Sequence, residues 1–134
     1  MTPLIKTLIN DHRMMLLLLK KSGAANLTSK ERGAFLLTVK TLLSQHLDIE
    51  DKKLYPKLNE LAASDNNATD IVNEFTVGLE SIGGIIMNFF DKCENSLENI
   101  HTSSDYSKVF KLLEIRIQKE EEKLYPLFDS LVQG

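Results

Sequence analysis

Two histidines and several carboxylates fall where a helix would bury them. Leu43, His46, Glu50 and Leu54 follow one another at steps of three and four residues, and so do Leu113, Arg116, Glu120 and Leu124. Residues at such steps share one face of a helix. His46 and Glu50 therefore sit inside an apolar stripe, one turn apart, and Arg116 and Glu120 repeat the pattern. Leu8, His12 and Met15 make a third stripe with a single histidine. Burying a charge is costly unless it is paired or bound to a metal. These carboxylates therefore require a counter-charge, and the candidates are a metal ion, Arg116, or both.

Each residue also has a plainer reading. A lone histidine on an apolar stripe is more often a satisfied core residue than a ligand, and this holds for His12 taken alone. His46 with Glu50 one turn on is stronger, because ligands at i and i+4 can clasp one metal from one helix. Glu120-Glu121-Glu122 could be a solvated acidic turn, yet three consecutive residues cover about 200° of a helix, so at least one must face inward. The polar neighbours of His101 make it a surface residue, and Cys93 reads as a small apolar core residue.

Four helices must position these groups. The first runs from about Pro3 to Lys21, capped by Thr2 and ended at Ser22-Gly23. The second opens on the capping box Thr28-Ser29-Lys30-Glu31 and reaches about Ala63. Ser64-Asp65-Asn66-Asn67 is a loop, and the third helix covers roughly Ala68 to Leu97. The fourth runs from about Tyr106 to Val132. Short connections predict an all-α, antiparallel up-down-up-down four-helix bundle, with residues 1–134 as one domain.

A repeat supports two similar hairpins. Residues 46–56 read HLDIEDKKLYP and residues 116–126 read RIQKEEEKLYP, 70 positions apart. Pro56 and Pro126 should kink or end their helices, with Tyr55 and Tyr125 pushed out of helical geometry before them. The LYP motifs are thus expected to be structural. On the third helix, Gly78, Gly83 and Gly84 imply close packing, a kink or a thin-walled pocket. The run from Ile85 to Phe90 is apolar enough to serve partly as core and partly as a partner surface.

Composition narrows the function. The chain has 134 residues, 16 basic and 19 acidic, for a net charge of −3, so it offers no excess positive charge to a phosphate backbone and nucleic acid is not expected as a ligand. The longest apolar run, Met14–Leu19, is far short of a membrane span. The N-terminus lacks the form of a signal peptide, and a single cysteine suits a reducing compartment, so a cytoplasmic protein is expected. No nucleophile is set beside a base and no phosphate loop occurs, so no enzyme is expected.

HLDIEDKKLYP and its near-copy resemble the hemerythrin-like, HHE cation-binding domain, and the likeness covers almost the whole chain. That resemblance implies a four-helix bundle around a di-iron centre bridged by two carboxylates. His12, His46 and Glu50 match the first-iron positions and one bridge, and Glu120 or Glu121 matches the other. The rest departs from the family. Phe75 and Leu79 stand where the third helix should supply histidines, and Arg116 stands where the fourth should supply one. A complete di-iron centre and oxygen carriage are therefore not expected.

The expected replacement is a metal-free charge cluster. Arg116 would serve as counter-charge to Glu50 and Glu120 or Glu121, with Phe75 and Leu79 filling the space of the lost imidazoles. The alternative is a single zinc or iron ion on His12, His46, Glu50 and one of Glu120 and Glu121. A weaker likeness, to the regulator-of-sigma-D anti-sigma family, rests on Arg116 with Glu120-Glu121 and on Ile86-Met87-Asn88-Phe89-Phe90-Asp91. It implies a protein-binding regulator. The two functional classes are thus a non-catalytic regulatory module with a protein partner, which the missing ligands favour, and a metal-binding sensor or storage domain. Either could be a monomer or a homodimer.

Overall fold

The computed structural model describes residues 1–93 and 104–133, with side chains given throughout that range except at 78–82. Among the described residues the ordered elements are all helical. They are α1 (Pro3–Ser22), α2 (Ser29–Ile49), α3 (Tyr55–Ala62), α4 (Asn66–Cys93), α5 (Ser104–Lys119) and α6 (Tyr125–Gln133). Single π-helical turns, Glu50–Leu54 and Glu120–Leu124, join α2 to α3 and α5 to α6. The result is four rods, packed α1 on α2, α4 on α5, and α3 on α4 and α6. This is the expected all-α bundle. His101 lies outside the described residues, as does the expected end of the third helix at Leu97.

The ends form as the local chemistry dictates. Thr2 caps α1 by accepting from the Ile5 N–H, and its own N–H donates to Asp129 Oδ1 at 3.0 Å, tying the first rod to the fourth. Thr28 and Glu31 complete the capping box in both directions. The loop after α3 is shorter than expected. Asp65 Oδ1 accepts from the Ala68 N–H, so the helix starts at Asn66 rather than near Ala68. The turn between α1 and α2 is held by buried Arg32, whose guanidinium donates to the carbonyls of Ser22, Ala24 and Leu27. An added Cβ at Gly23 would lie 2.5 Å from the Tyr106 hydroxyl oxygen, so a larger residue there would push the tyrosine aside.

The prolines correct the expectation. Neither ends its rod. Tyr55 and Tyr125 keep helical torsions, φ −64° with ψ −42° and φ −67° with ψ −42°. Each π-turn absorbs the misfit one turn earlier. The Tyr55 N–H reaches back to the Glu50 carbonyl, and that of Tyr125 to the Glu120 carbonyl. The backbone distortion falls on Leu54, at φ −89° and ψ −61°. Widening the helix just before a proline lets the rod continue past the ring without a break.

Two apolar clusters fill the bundle. Met15, Leu19, Leu36, Phe90, Val109 and Leu113 anchor one, and Ile5, Leu8, Leu58, Phe75, Leu124 and Phe128 the other. Between them lies a polar layer of His12, His46, Glu50, Arg116 and Glu120, none more than 7% exposed. The apolar run on α4 is mostly core: Ile86, Phe89 and Phe90 are buried, while Ile85 is exposed. Cys93 is buried as expected, and burial raises its thiol to about 11.

Candidate metal centre

Among the described residues, α1, α2 and the rods that carry the two π-turns send polar side chains to one point. From α1, His12 places Nδ1 2.9 Å from Glu121 Oε2. From α2, His46 places Nδ1 3.4 Å from Asp11 Oδ2. Carboxylates accept, so each Nδ1 carries the ring proton and each Nε2 is a bare lone pair. The two Nε2 atoms face each other at 3.1 Å. The Tyr125 hydroxyl lies 3.2 Å from one and 3.4 Å from the other, but its nearest acceptor is Glu50 Oε2 at 3.0 Å. One hydroxyl hydrogen cannot serve all of these acceptors. Burial holds both imidazoles below their ordinary proton affinity, against the pull of Glu121 on His12 and of Glu50 on His46. Two neutral rings aiming lone pairs at one point could hold a cation between them.

The carboxylates converge there too. Glu120 Oε1 is 3.4 Å from His12 Nε2, and Glu50 Oε1 is 3.4 Å from His46 Nε2. Glu50 is fully buried, and its Oε1 has no hydrogen-bond partner among the described residues. Burial, then the neighbouring Glu120 carboxylate, pushes the Glu50 carboxyl well above its usual range, while His46 and Arg116 pull it down. Glu50 Oε1 thus lies 3.4 Å from the His46 nitrogen and 3.7 Å from the Arg116 guanidinium without a hydrogen bond of its own among the described residues. His12, His46 and Glu120 each offer one ligand atom, all within 4.8 Å of one another. Tetrahedral bonds of about 2.0–2.1 Å imply donor-to-donor edges of about 3.3–3.4 Å, and two of the three edges, 3.1 Å between the nitrogens and 3.4 Å from His12 to Glu120, are close to that.

Arg116 occupies the opposite side. Its Nη2 is 3.7 Å from Glu50 Oε1 and its Nε is 3.6 Å from Glu120 Oε1. Burial works against its charge, but Glu120 and Glu50 outweigh burial and hold the guanidinium charged. Gly83 makes room for it, since an added Cβ would lie 3.1 Å from Nη1. Gly83 thus serves close packing, and Gly83 and Gly84 line a pocket, while Gly78 lies outside the residues described in this detail. A cavity of about 410 Å³ opens beside Arg116, lined by Tyr55, Phe75, Gly83, Gly84 and Met87 among others. Phe75 is buried in the apolar cluster, leaving this side without the expected imidazole. The Leu79 side chain lies outside the described residues.

The structure therefore brings together His12, His46, Glu50, Arg116 and Glu120, and it separates the two glutamates the sequence left open. Glu120 supplies the inner oxygen. Glu121, with its side chain 33% exposed, orients His12 from behind. Sequence reasoning missed Asp11, which does the same for His46, and Tyr125, read only as part of a structural motif. Tyr125 is five residues after Glu120. In a plain α-helix such positions point about 140° apart, but the π-turn returns them to one face. The Tyr125 hydroxyl is 3.4 Å from Glu120 Oε2. The proline in the motif is the one signal that could have revealed this.

Among the described residues no helix is long and apolar enough to cross a membrane. The family model of the hemerythrin HHE cation binding domain matches residues 4–128. Comparisons with curated proteins and with solved structures returned no significant match.

Proposed function

Because the chain belongs to the hemerythrin HHE cation-binding family, we propose that it holds a single divalent transition-metal ion and works as a non-catalytic, metal-responsive regulatory module. The ion would sit on His12, His46 and Glu120 with Glu50 alongside, and Arg116 would stand in for the second ion. The facing Nε2 lone pairs carry this reading, at 3.1 Å with both Nδ1 protons committed to carboxylates. A metal ion uses both lone pairs at once, which the charge cluster by itself does not. Arg116 supplies one positive charge against the two inner carboxylates, Glu50 and Glu120. Nitrogen and oxygen donors of this kind suit zinc or ferrous iron.

The protein's own residues divide the work. His12 and His46 would hold the ion, and Glu121 and Asp11 would fix their tautomers and ring angles. Glu50 and Glu120 would supply negative charge, and Arg116 would balance the excess. Bound metal would supply charge neutralisation and would rigidify the polar layer between the two apolar clusters. Such an ion couples metal supply to the stability of the bundle, which is what a regulatory module needs in order to report it. The half-filled ligand set favours this over oxygen carriage.

Titration with Co²⁺ tests the reading. One ion per chain should bind with the intense visible bands of a tetrahedral site, and His46→Ala should abolish them. An unaltered spectrum in His46→Ala, or no binding at all, would refute it. The carboxylates behind the imidazoles make a finer prediction. Glu121→Gln and Asp11→Asn should each keep one ion per chain but weaken it by about 10–100-fold, as read by chelator competition.

A further inference from the structure

We propose that the phenol oxygen of Tyr125 is itself a ligand to the ion, completing a four-donor site with His12, His46 and Glu120. The inference rests on the metal-binding reading above and names the group that fills the remaining position. Tyr125 Oη lies 3.2 Å from His12 Nε2, 3.4 Å from His46 Nε2 and 3.4 Å from Glu120 Oε2. The two nitrogens are 3.1 Å apart, and the other Glu120 oxygen, Oε1, is 3.4 Å from His12 Nε2, so the phenol shares one pocket with these donors. The edges expected for bonds of about 2.0–2.1 Å are about 3.3–3.4 Å. The phenol oxygen thus stands within 3.4 Å of a donor atom from each of His12, His46 and Glu120.

The fold places Tyr125 there deliberately. It is 1% exposed, and the π-turn at Glu120–Leu124 swings it onto the face of Glu120. Its counterpart in the repeat, Tyr55, stands at the same place in the other motif but lines the cavity beside Arg116 instead. One copy of the motif thus serves the retained half of the site, and the other faces the half that Arg116 has taken over. A bound ion would take the phenol oxygen as a donor through the electron pair of its O–H bond, and the proton would go to Glu50 Oε2 in its carboxylate form, the acceptor of that hydrogen bond at 3.0 Å. No electron is gained or lost.

Ferric iron, supplied as its nitrilotriacetate complex, is the informative probe, because a phenolate bound to Fe³⁺ absorbs strongly in the visible whereas imidazole and carboxylate ligands do not. The wild-type protein should take up one iron per chain and become coloured. Tyr125→Phe should still bind iron, by elemental analysis, and lose the band, while Tyr55→Phe should keep both. In the wild-type protein, resonance Raman excitation in the band should enhance tyrosine ring modes that shift on ring deuteration, a readout that does not depend on any variant folding. Iron bound without colour, or colour retained in Tyr125→Phe, would overturn the assignment of Tyr125 and leave the metal site standing. No iron bound while Co²⁺ still binds would overturn the assignment of Tyr125 alone, and neither metal bound would overturn both.

Discussion

Arg116→Leu should lower the stability of the metal-free protein by about 3–5 kcal/mol, the cost of removing one partner from a buried charge set. For a chain of this size the melting temperature should fall by roughly 10–20 °C. The reason is geometric. Glu50 and Glu120 are 0% and 1% exposed, and Arg116 lies 3.7 Å and 3.6 Å from their oxygens. Leucine would leave both carboxylates in the core without that cation. Saturating Zn²⁺ should then raise the midpoint of Arg116→Leu by more than it raises the wild-type one, because the ion becomes the main positive charge in the layer. The double variant Arg116→Leu/Glu50→Gln should be more stable than Arg116→Leu alone, since it removes one of the two stranded charges. Thermal denaturation with and without metal would check all three. A change below about 0.5 kcal/mol in Arg116→Leu would mean the guanidinium is not the counter-charge.

Glu50→Gln should have the opposite effect. It should stabilise the metal-free protein near neutral pH by about 1–3 kcal/mol, because the buried charge goes while the Tyr125 hydrogen bond to the side-chain oxygen can persist. The dependence on pH follows from the direction of each shift. Glu50 holds its proton more tightly folded than unfolded. Between the ordinary value of 4.5 and its raised value, the folded protein keeps a proton that the unfolded chain has released, so stability falls as pH climbs through that window. His12 and His46 act in the other sense. Both hold protons less tightly when folded, so their contribution is complete above the ordinary value of 6.5 and is lost as pH drops through it toward their lowered values. Glu50→Gln should abolish the first arm and leave the second. Denaturant unfolding across pH would show a profile that rises from acid and then stays level. Continued loss of stability toward neutral pH in Glu50→Gln would contradict this origin. The same variant should bind metal more weakly, so the residue is kept at the expense of stability.

The polar layer was legible because a period of three and four residues brings His46 with Glu50, and Arg116 with Glu120, onto apolar stripes. Burial and mutual contact followed once the rods packed. The helix starts at Thr2 and Thr28 were legible for the same local reason: their capping chemistry needs no tertiary context. What could not be read was anything that depends on the two π-turns. A π-turn changes which residues share a face, so Tyr125 enters the site at a spacing that no α-helical pattern predicts, and Pro56 and Pro126 let their rods pass. Asp11 carried no signal of its own, because an acidic residue beside His12 becomes a partner for His46 only when α1 and α2 pack together. The choice between Glu120 and Glu121 likewise waited on the geometry of the turn they open.

Native mass spectrometry of the protein loaded with Zn²⁺ and freed of excess metal tests the central claim most directly. One ion per chain is the predicted result, falling to none in the double variant His12→Ala/His46→Ala. Two ions per chain, or none in the wild-type protein, would contradict a site that keeps one metal and replaces the other with Arg116.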